Sequence, residues 1–283
     1  MSSAAGSPLR EVRGPGALGG GWRRFFELLL LMSATEFKRA YFGTVLGYLW
    51  SLLRPLLLFG VLLVVFTKIF RIGSDQLDHY PVFLLVNIVL FSFFQEATMN
   101  ATGSVVANEG IVRKTQFPRL VIPMSIVLTS LFNLGMNLVA VLIFTLAFGV
   151  FPQWTWLFFP AILIVLVVAT SAVSTLLAAL YVRRRDLAII WGVLSTALFY
   201  GSTVLYPITI VPEGTLRDVM FINPLVPLFV QTNKWLINPG DQSAAAAAGG
   251  WEYLIPSVLV FAAACGLAVW TFNREAPRVA EEL

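Results

Sequence analysis

From Leu120 to Val182 the chain runs for 63 residues without an Asp, Glu, Lys, Arg or His. As one helix this stretch would measure about 95 Å, roughly three times the thickness of a bilayer's hydrocarbon core. It must therefore turn once, and Gly149 to Trp156 is the place, because Pro152 breaks the hydrogen-bond ladder and Trp154 and Trp156 suit a headgroup interface. Similar runs occur over 42–67, interrupted only by Arg54, and over 80–108, interrupted only by Glu96. Leu187 to Pro212 and Tyr253 to Asn273 are uncharged as well. The pattern predicts an all-α integral membrane protein with six transmembrane helices, at about 43–67, 80–108, 120–148, 157–182, 187–205 and 252–272.

The segments between these runs differ from one another. Residues 22–41 carry too many charges to span, but Trp22, Phe25, Phe26, Leu29, Leu30, Phe37 and Tyr41 fit one broad helical face. An amphipathic helix lying in the membrane interface is expected there. Residues 1–21 read as a disordered tail without the apolar core of a signal peptide. Residues 241–250, with their alanine run, read as a flexible external loop, and 274–283 as a second tail. The uncharged run Val219 to Asn233 is too short to span comfortably, so the proline-rich region 206–235 is expected to hold external re-entrant segments. Irregular backbone at that depth survives only where it is buried in protein or faces water.

Composition agrees: 58% of residues are hydrophobic, 12% are charged, and the mean hydropathy is +0.82. Soluble domains are about a quarter charged, and disordered chains are poor in apolar residues, so both classes are excluded. One cysteine, Cys265, excludes an internal disulfide, and one histidine, His79, leaves little for a metal cluster. The formal charge of +4 and pI near 9.4 would fit nucleic acid, but the placement of the charges argues for topology instead. Arg10, Arg13, Arg23, Arg24, Lys38, Arg39, Arg54, Arg113, Lys114, Arg119, Arg183, Arg184, Arg185, Arg274 and Arg278 fall on one side. Only Lys68, Arg71, Arg217 and Lys234 fall on the other. By the positive-inside rule both termini are cytoplasmic.

Four features hold candidate chemistry. Glu96, with Gln95 and Asn100 nearby, lies within a span, where a charge costs about 2.5–3.5 kcal/mol on insertion scales. Such a residue faces a bundle interior, an interface or a pathway, and no second acid in another span offers a proton relay. The basic loop 109–119 exposes Phe117-Pro118 among Arg113, Lys114 and Arg119, an apolar knob suited to a groove on a cytoplasmic protein. Residues 183–186 form a tight basic turn, for which a topology role suffices. Phe91, Phe93, Phe94, Phe199, Tyr200 and Tyr206 either pack between helices or stack on sugar rings along a conduit. Asp75-x-x-Asp78-His79 fits an ordinary polar loop better than a metal site, and Gly43-x-x-x-Gly47 permits close helix packing. The chain holds no phosphate loop and no nucleophile elbow.

Certain motifs occur together: Leu46-Gly47-Tyr48-Leu49-Trp50 with Pro55, then Arg113-Lys114-Thr115-Gln116-Phe117-Pro118-Arg119, then Arg184-Arg185-Asp186-Leu187 and Asn223-Pro224. In this order, over roughly 22–273, the chain resembles the permease subunits of ABC-2 type exporters of polysaccharides and polyol phosphates, which include O-antigen, capsule, galactan and teichoic acid exporters. The resemblance implies a homodimer in the bacterial inner membrane, joined by two copies of a separate cytoplasmic ABC ATPase that binds the ATP and Mg. This chain would bind neither cofactor nor metal and would not be an enzyme. Glu109, Arg113, Lys114, Phe117, Pro118 and Arg119 would couple it to the ATPase, and Trp22, Arg23, Arg24, Phe37 and Lys38 would form an interface or gate helix. Glu96, Phe91, Phe94, Phe199, Tyr200 and Tyr206 would line the path of a lipid-linked glycan. An ABC-2 exporter of drugs or lipids, an ion-coupled transporter using Glu96 and an intramembrane transferase remain as alternatives.

Overall fold

The computed structural model describes residues 21–41, 47–69, 79–110 and 118–275. Among them the regular structure is entirely helical. Five helices are long and apolar enough to cross a membrane: Leu49–Ile69, Tyr80–Thr102, Val121–Ala147, Trp154–Tyr181 and Glu252–Arg274. We number the α-helical elements α1 (Trp22–Tyr41), α2 (Leu49–Val64), α3 (Tyr80–Thr102), α4 (Ser104–Ala107), α5 (Val121–Ala147), α6 (Phe159–Tyr181), α7 (Leu187–Gly201), α8 (Thr215–Met220), α9 (Leu225–Leu236), α10 (Ala244–Ala248) and α11 (Ile255–Glu275).

Helix α3 is the axis of the bundle. Between Tyr80 and Phe94 it is apolar on every face apart from Asn87 and Ser92, as a helix buried on every side must be, and it packs most extensively on α5 and α6. Phe91, Phe94, Leu84, Leu90 and Ile88 are buried along it. By contrast, α2 and α11 leave most of their apolar surface uncovered by the rest of the chain. Helix α1 forms with the bounds expected from its charge pattern. It tracks lengthwise along α5: Phe25 packs with Val121 and Ile122, and Thr129 Oγ1 donates to the Ser33 carbonyl at 3.2 Å.

The fifth expected span departs from its expected length. Helix α7 has 15 residues and stops at Gly201, a rise of about 22 Å, short of a hydrocarbon core. The apolar residues after it do not extend the helix; Ser202 to Leu205 turn back into the bundle and are buried. Their irregular backbone is satisfied from α3, where Tyr80 Oη donates to the Leu205 carbonyl at 2.8 Å and Asn87 Nδ2 to that of Thr203 at 3.5 Å. The following region holds two short helices, α8 and α9, and α9 inserts far enough for Phe229 to meet Phe91 at 6.4 Å between ring centroids. Asn223 pins the junction, donating to Ser202 Oγ at 2.9 Å and accepting from the Leu225 amide at 3.0 Å.

The alanine run is ordered as a helix, contrary to the loop expected over 241–250. Ser243 Oγ caps it by accepting from the Ala246 amide at 3.2 Å, and Gly249 ends it in a left-handed conformation at φ +93°. Ala244, Ala247 and Ala248 pack against Val226, Val230 and Phe221. Small side chains permit that close approach.

Candidate functional site in the helical bundle

Several polar groups of the bundle meet in one place. Asn133 stands about three turns into α5, and its Nδ2 donates to Glu96 Oε1 at 2.8 Å and to Tyr41 Oη at 2.6 Å. Asn137, one turn further on, donates to the Asn133 carbonyl at 2.8 Å and to the Ser51 carbonyl of α2 at 3.3 Å. One carboxamide pair on a single face of α5 thus ties together α1, α2 and α3. Rings hold the neighbouring corner: Phe37, Tyr41 and Tyr48 lie 5.1–5.4 Å apart. Burial pushes the Tyr41 phenol up, and the Glu96 carboxyl adds to the effect, so Tyr41 stays protonated.

This network borders a cavity of about 670 Å³ whose wall includes Glu96, Asn100, Asn133, Asn137, Trp50 and Arg54. Arg54 on this wall is exposed. Glu96 is therefore on a cavity wall, with a donor from a neighbouring helix.

The aromatic candidates separate. Phe91, Phe94 and Phe199 are buried in the packed interior, where Phe91 meets Phe199 at 5.2 Å and Phe94 meets Trp191 at 6.1 Å. In this conformation they hold α7 against α3, with help from Trp191 Nε1, which donates to Thr98 Oγ1 at 3.0 Å. Tyr200 is exposed. Tyr206 donates to the Tyr200 carbonyl at 2.9 Å and lines an apolar recess of about 430 Å³ with Phe66, Ile210, Leu216 and Met220.

The candidates for coupling and gating are spread along α1 and the loop before α5. Trp22 and Lys38 are exposed and Phe37 sits in the ring cluster. Arg23 pairs with Glu27 at 3.0 Å on the surface, and both border a shallow recess with Arg24. Glu109 is half-buried, whereas Pro118 and Arg119 are buried, which removes them from an exposed knob. Burial also pulls the Arg119 guanidinium down. Arg113, Lys114 and Phe117, like Asp75, Asp78 and Gly43, lie outside the described residues.

Sequence reasoning found Glu96 but passed over Asn133 and Asn137 because they are uncharged. Their signal was present: two carboxamides at i and i+4 in an otherwise apolar span share one helix face and rarely face lipid.

Comparison with known proteins bears on this arrangement. The family model described as ABC-2 type transporter matches residues 27–231, from α1 to α9. An O-antigen export system permease protein of Myxococcus xanthus is 31% identical over 71% of this chain and 76% of its own length. One from Klebsiella pneumoniae is 29% identical, covering 75% of this chain and 81% of its own. The polysialic acid transport protein KpsM of Escherichia coli is 24% identical over 84% of this chain and 90% of its own. On the extent of the family match and the identity to these relatives, the chain belongs to the ABC-2 type transporter family.

Proposed function

We propose that this chain is the membrane-spanning subunit of an ATP-driven exporter that carries a lipid-linked polysaccharide or polyol phosphate polymer from the cytoplasm to the outer face of a bacterial inner membrane. One observation carries the reading: relatives named as O-antigen export permeases match over some three quarters of their length. Two copies of the chain would work with two copies of a separate ABC ATPase holding ATP and Mg. The distribution of Lys and Arg supports cytoplasmic termini and a cytoplasmic loop 109–119.

The placement of α1 supports a coupling route. Its first turns, with Trp22, Arg23 and Arg24, lie at the end of the bundle where α5 begins, and its last residue bonds to Asn133. A push received near Glu109 to Arg119 and at the start of α1 would thus reach the cavity through Tyr41, over the length of one helix. Arg113, Lys114 and Phe117 supply the docking contacts, and Pro118 and Arg119 anchor the end of that loop to the bundle. Lys38 and Phe37 belong to the moving helix, and Tyr200 and Tyr206 to the exit.

The test is affinity purification of this chain from native membranes, with ATP hydrolysis assayed in the eluate. The expected result is a stoichiometric ATPase partner. Phe117→Asp should leave membrane insertion intact and lower partner recovery or ATP-driven export at least tenfold. Undiminished export by that variant would remove the docking role.

A further inference from the structure

The cavity between α1, α2, α3 and α5 mixes donors and acceptors on its wall, with Arg54, Gln95 and Asn100 able to donate and Glu96 able to accept. Among the described residues Glu96 receives one protein donor, Asn133 Nδ2. The other end of that amide, Asn133 Oδ1, is buried without a partner among the described residues, in a residue only 3% exposed. Gln95, Asn100 and Asn137 add three more carboxamides to the wall, and the indole of Trp50 gives it an aromatic face. Its two formal charges, Glu96 and Arg54, cancel, so net charge selects neither a cation nor an anion. A purely apolar occupant would leave Asn133 Oδ1 without a donor and Glu96 with the one from Asn133 alone, and an unmade bond at a buried polar atom is costly. The occupant that fits is neutral, rich in hydroxyls and flat on one side. The volume, about 670 Å³, is within the ordinary range for small-molecule sites.

We propose that this cavity is a sugar-recognition subsite. Glu96 and Asn133 accept hydrogen bonds from the hydroxyls of one saccharide unit of the exported glycan, Asn137 and Asn100 border its edge, and Trp50 stacks on its apolar face. This deepens the exporter reading and rests on it. Glu96 is about two turns from the end of α3, and Asn133 about three turns from the start of α5. Both measures place the subsite in the half of the bundle assigned to the cytoplasm by the charge distribution, where the glycan enters. The site reads the sugar before translocation begins.

The experiment uses the complete exporter, this chain with its ATPase, in proteoliposomes. Two probes are compared: the lipid-linked glycan extracted from the cells that make it, and the same lipid after the glycan has been hydrolysed off. The readout is the concentration of each that half-maximally stimulates ATP hydrolysis. In the unaltered exporter the intact probe should act at lower concentration than the stripped lipid. Glu96→Gln should raise the half-saturating concentration of the intact probe several-fold and leave that of the stripped lipid unchanged, while Asn133→Ala, which also cuts the bond to Tyr41, should raise the intact probe's value about tenfold more than the stripped lipid's, equivalent to ~1.4 kcal/mol. Glu96→Gln preserves side-chain volume, so it reports even if Asn133→Ala fails to assemble. The proposal is overturned if the variants leave the intact probe's value unchanged, if they shift both probes equally, or if the unaltered exporter does not distinguish the probes. An unaltered complex that neither responds to the intact glycan nor exports it overturns the exporter reading instead.

Discussion

Glu96 and Arg217 are both charged side chains withdrawn from water, at opposite ends of the bundle, and their surroundings differ. Arg217, on α8, has a side chain 8% exposed. Its Nη2 donates to the Ile208 carbonyl at 2.8 Å and its Nη1 to Glu213 at 3.3 Å, so the guanidinium ties the 3-10 turn at Ile208–Ile210 to the helix that follows. Those partners are close in sequence and fixed. Glu96 instead takes one bond from a different helix and turns the rest of its carboxylate towards open space. A buried charge enclosed by local partners shapes the fold; one left facing a cavity with unused acceptors is available to a ligand. The 206–248 region is thus built as a packed lobe, and the cavity between α1, α2, α3 and α5 as a receptive surface.

If the lobe is packed in that sense, charge introduced into it should do the most damage. Ala247 is 1% exposed among Val226, Val230 and Phe221. Ala247→Glu should destabilise the purified protein by about 3 kcal/mol or more, because the carboxylate is buried without a partner. Ala246, the exposed residue beside it, should accept the same change with little effect. Thermal unfolding of both variants measures the contrast; equal melting temperatures would restore the flexible loop expected from composition. Next comes Arg217→Ala, which frees the Ile208 carbonyl and removes a buried aliphatic stem, at about 2–3 kcal/mol. Glu213→Ala should cost no more than about 0.5 kcal/mol, since Glu213 is 86% exposed and water already screens the pair. A larger loss at Glu213 than at Arg217 would mean that the surface ion pair, and not the bond to Ile208, holds the turn.

These regions also mark how far the sequence could be read. Long uncharged runs and the amphipathic charge pattern of 22–41 predict α1, α2, α3, α5, α6 and α11, because helix periodicity and span length are local properties. The end of α7 is not local. Ser202 to Leu205 is apolar enough to continue a span, and only Tyr80 and Asn87, more than a hundred residues earlier, make its irregular backbone tolerable inside the bundle. The alanine run was misread because its composition resembles a linker. Its caps, Ser243 and Gly249, were visible, but the surface that covers it, Val226 and Val230, came from another segment. The polar site was half legible. Glu96 is conspicuous by its charge, whereas Asn133 is brought to it only when α5 is set against α3, and the packing of Phe91 emerges only when α9 is set beside it.

The smallest effect expected from the comparison is on the folding side of Glu96. Glutamine at position 96 keeps an oxygen that can accept from Asn133 Nδ2, and interhelical hydrogen bonds in membranes average only about 0.6 kcal/mol. Glu96→Gln should therefore change the melting temperature of the purified chain by no more than a degree or two, even as its response to the intact glycan weakens. A structural anchor such as Arg217 behaves in the opposite way, losing stability first. The same variant addresses ion coupling. Among the described residues no second carboxylate lines the cavity, so there is no acid to pass a proton to or from Glu96. Export at saturating glycan should then have one pH profile in the unaltered exporter and the variant. A displaced profile, with affinity for the glycan intact, would make Glu96 a proton carrier and leave the sugar to be recognised elsewhere.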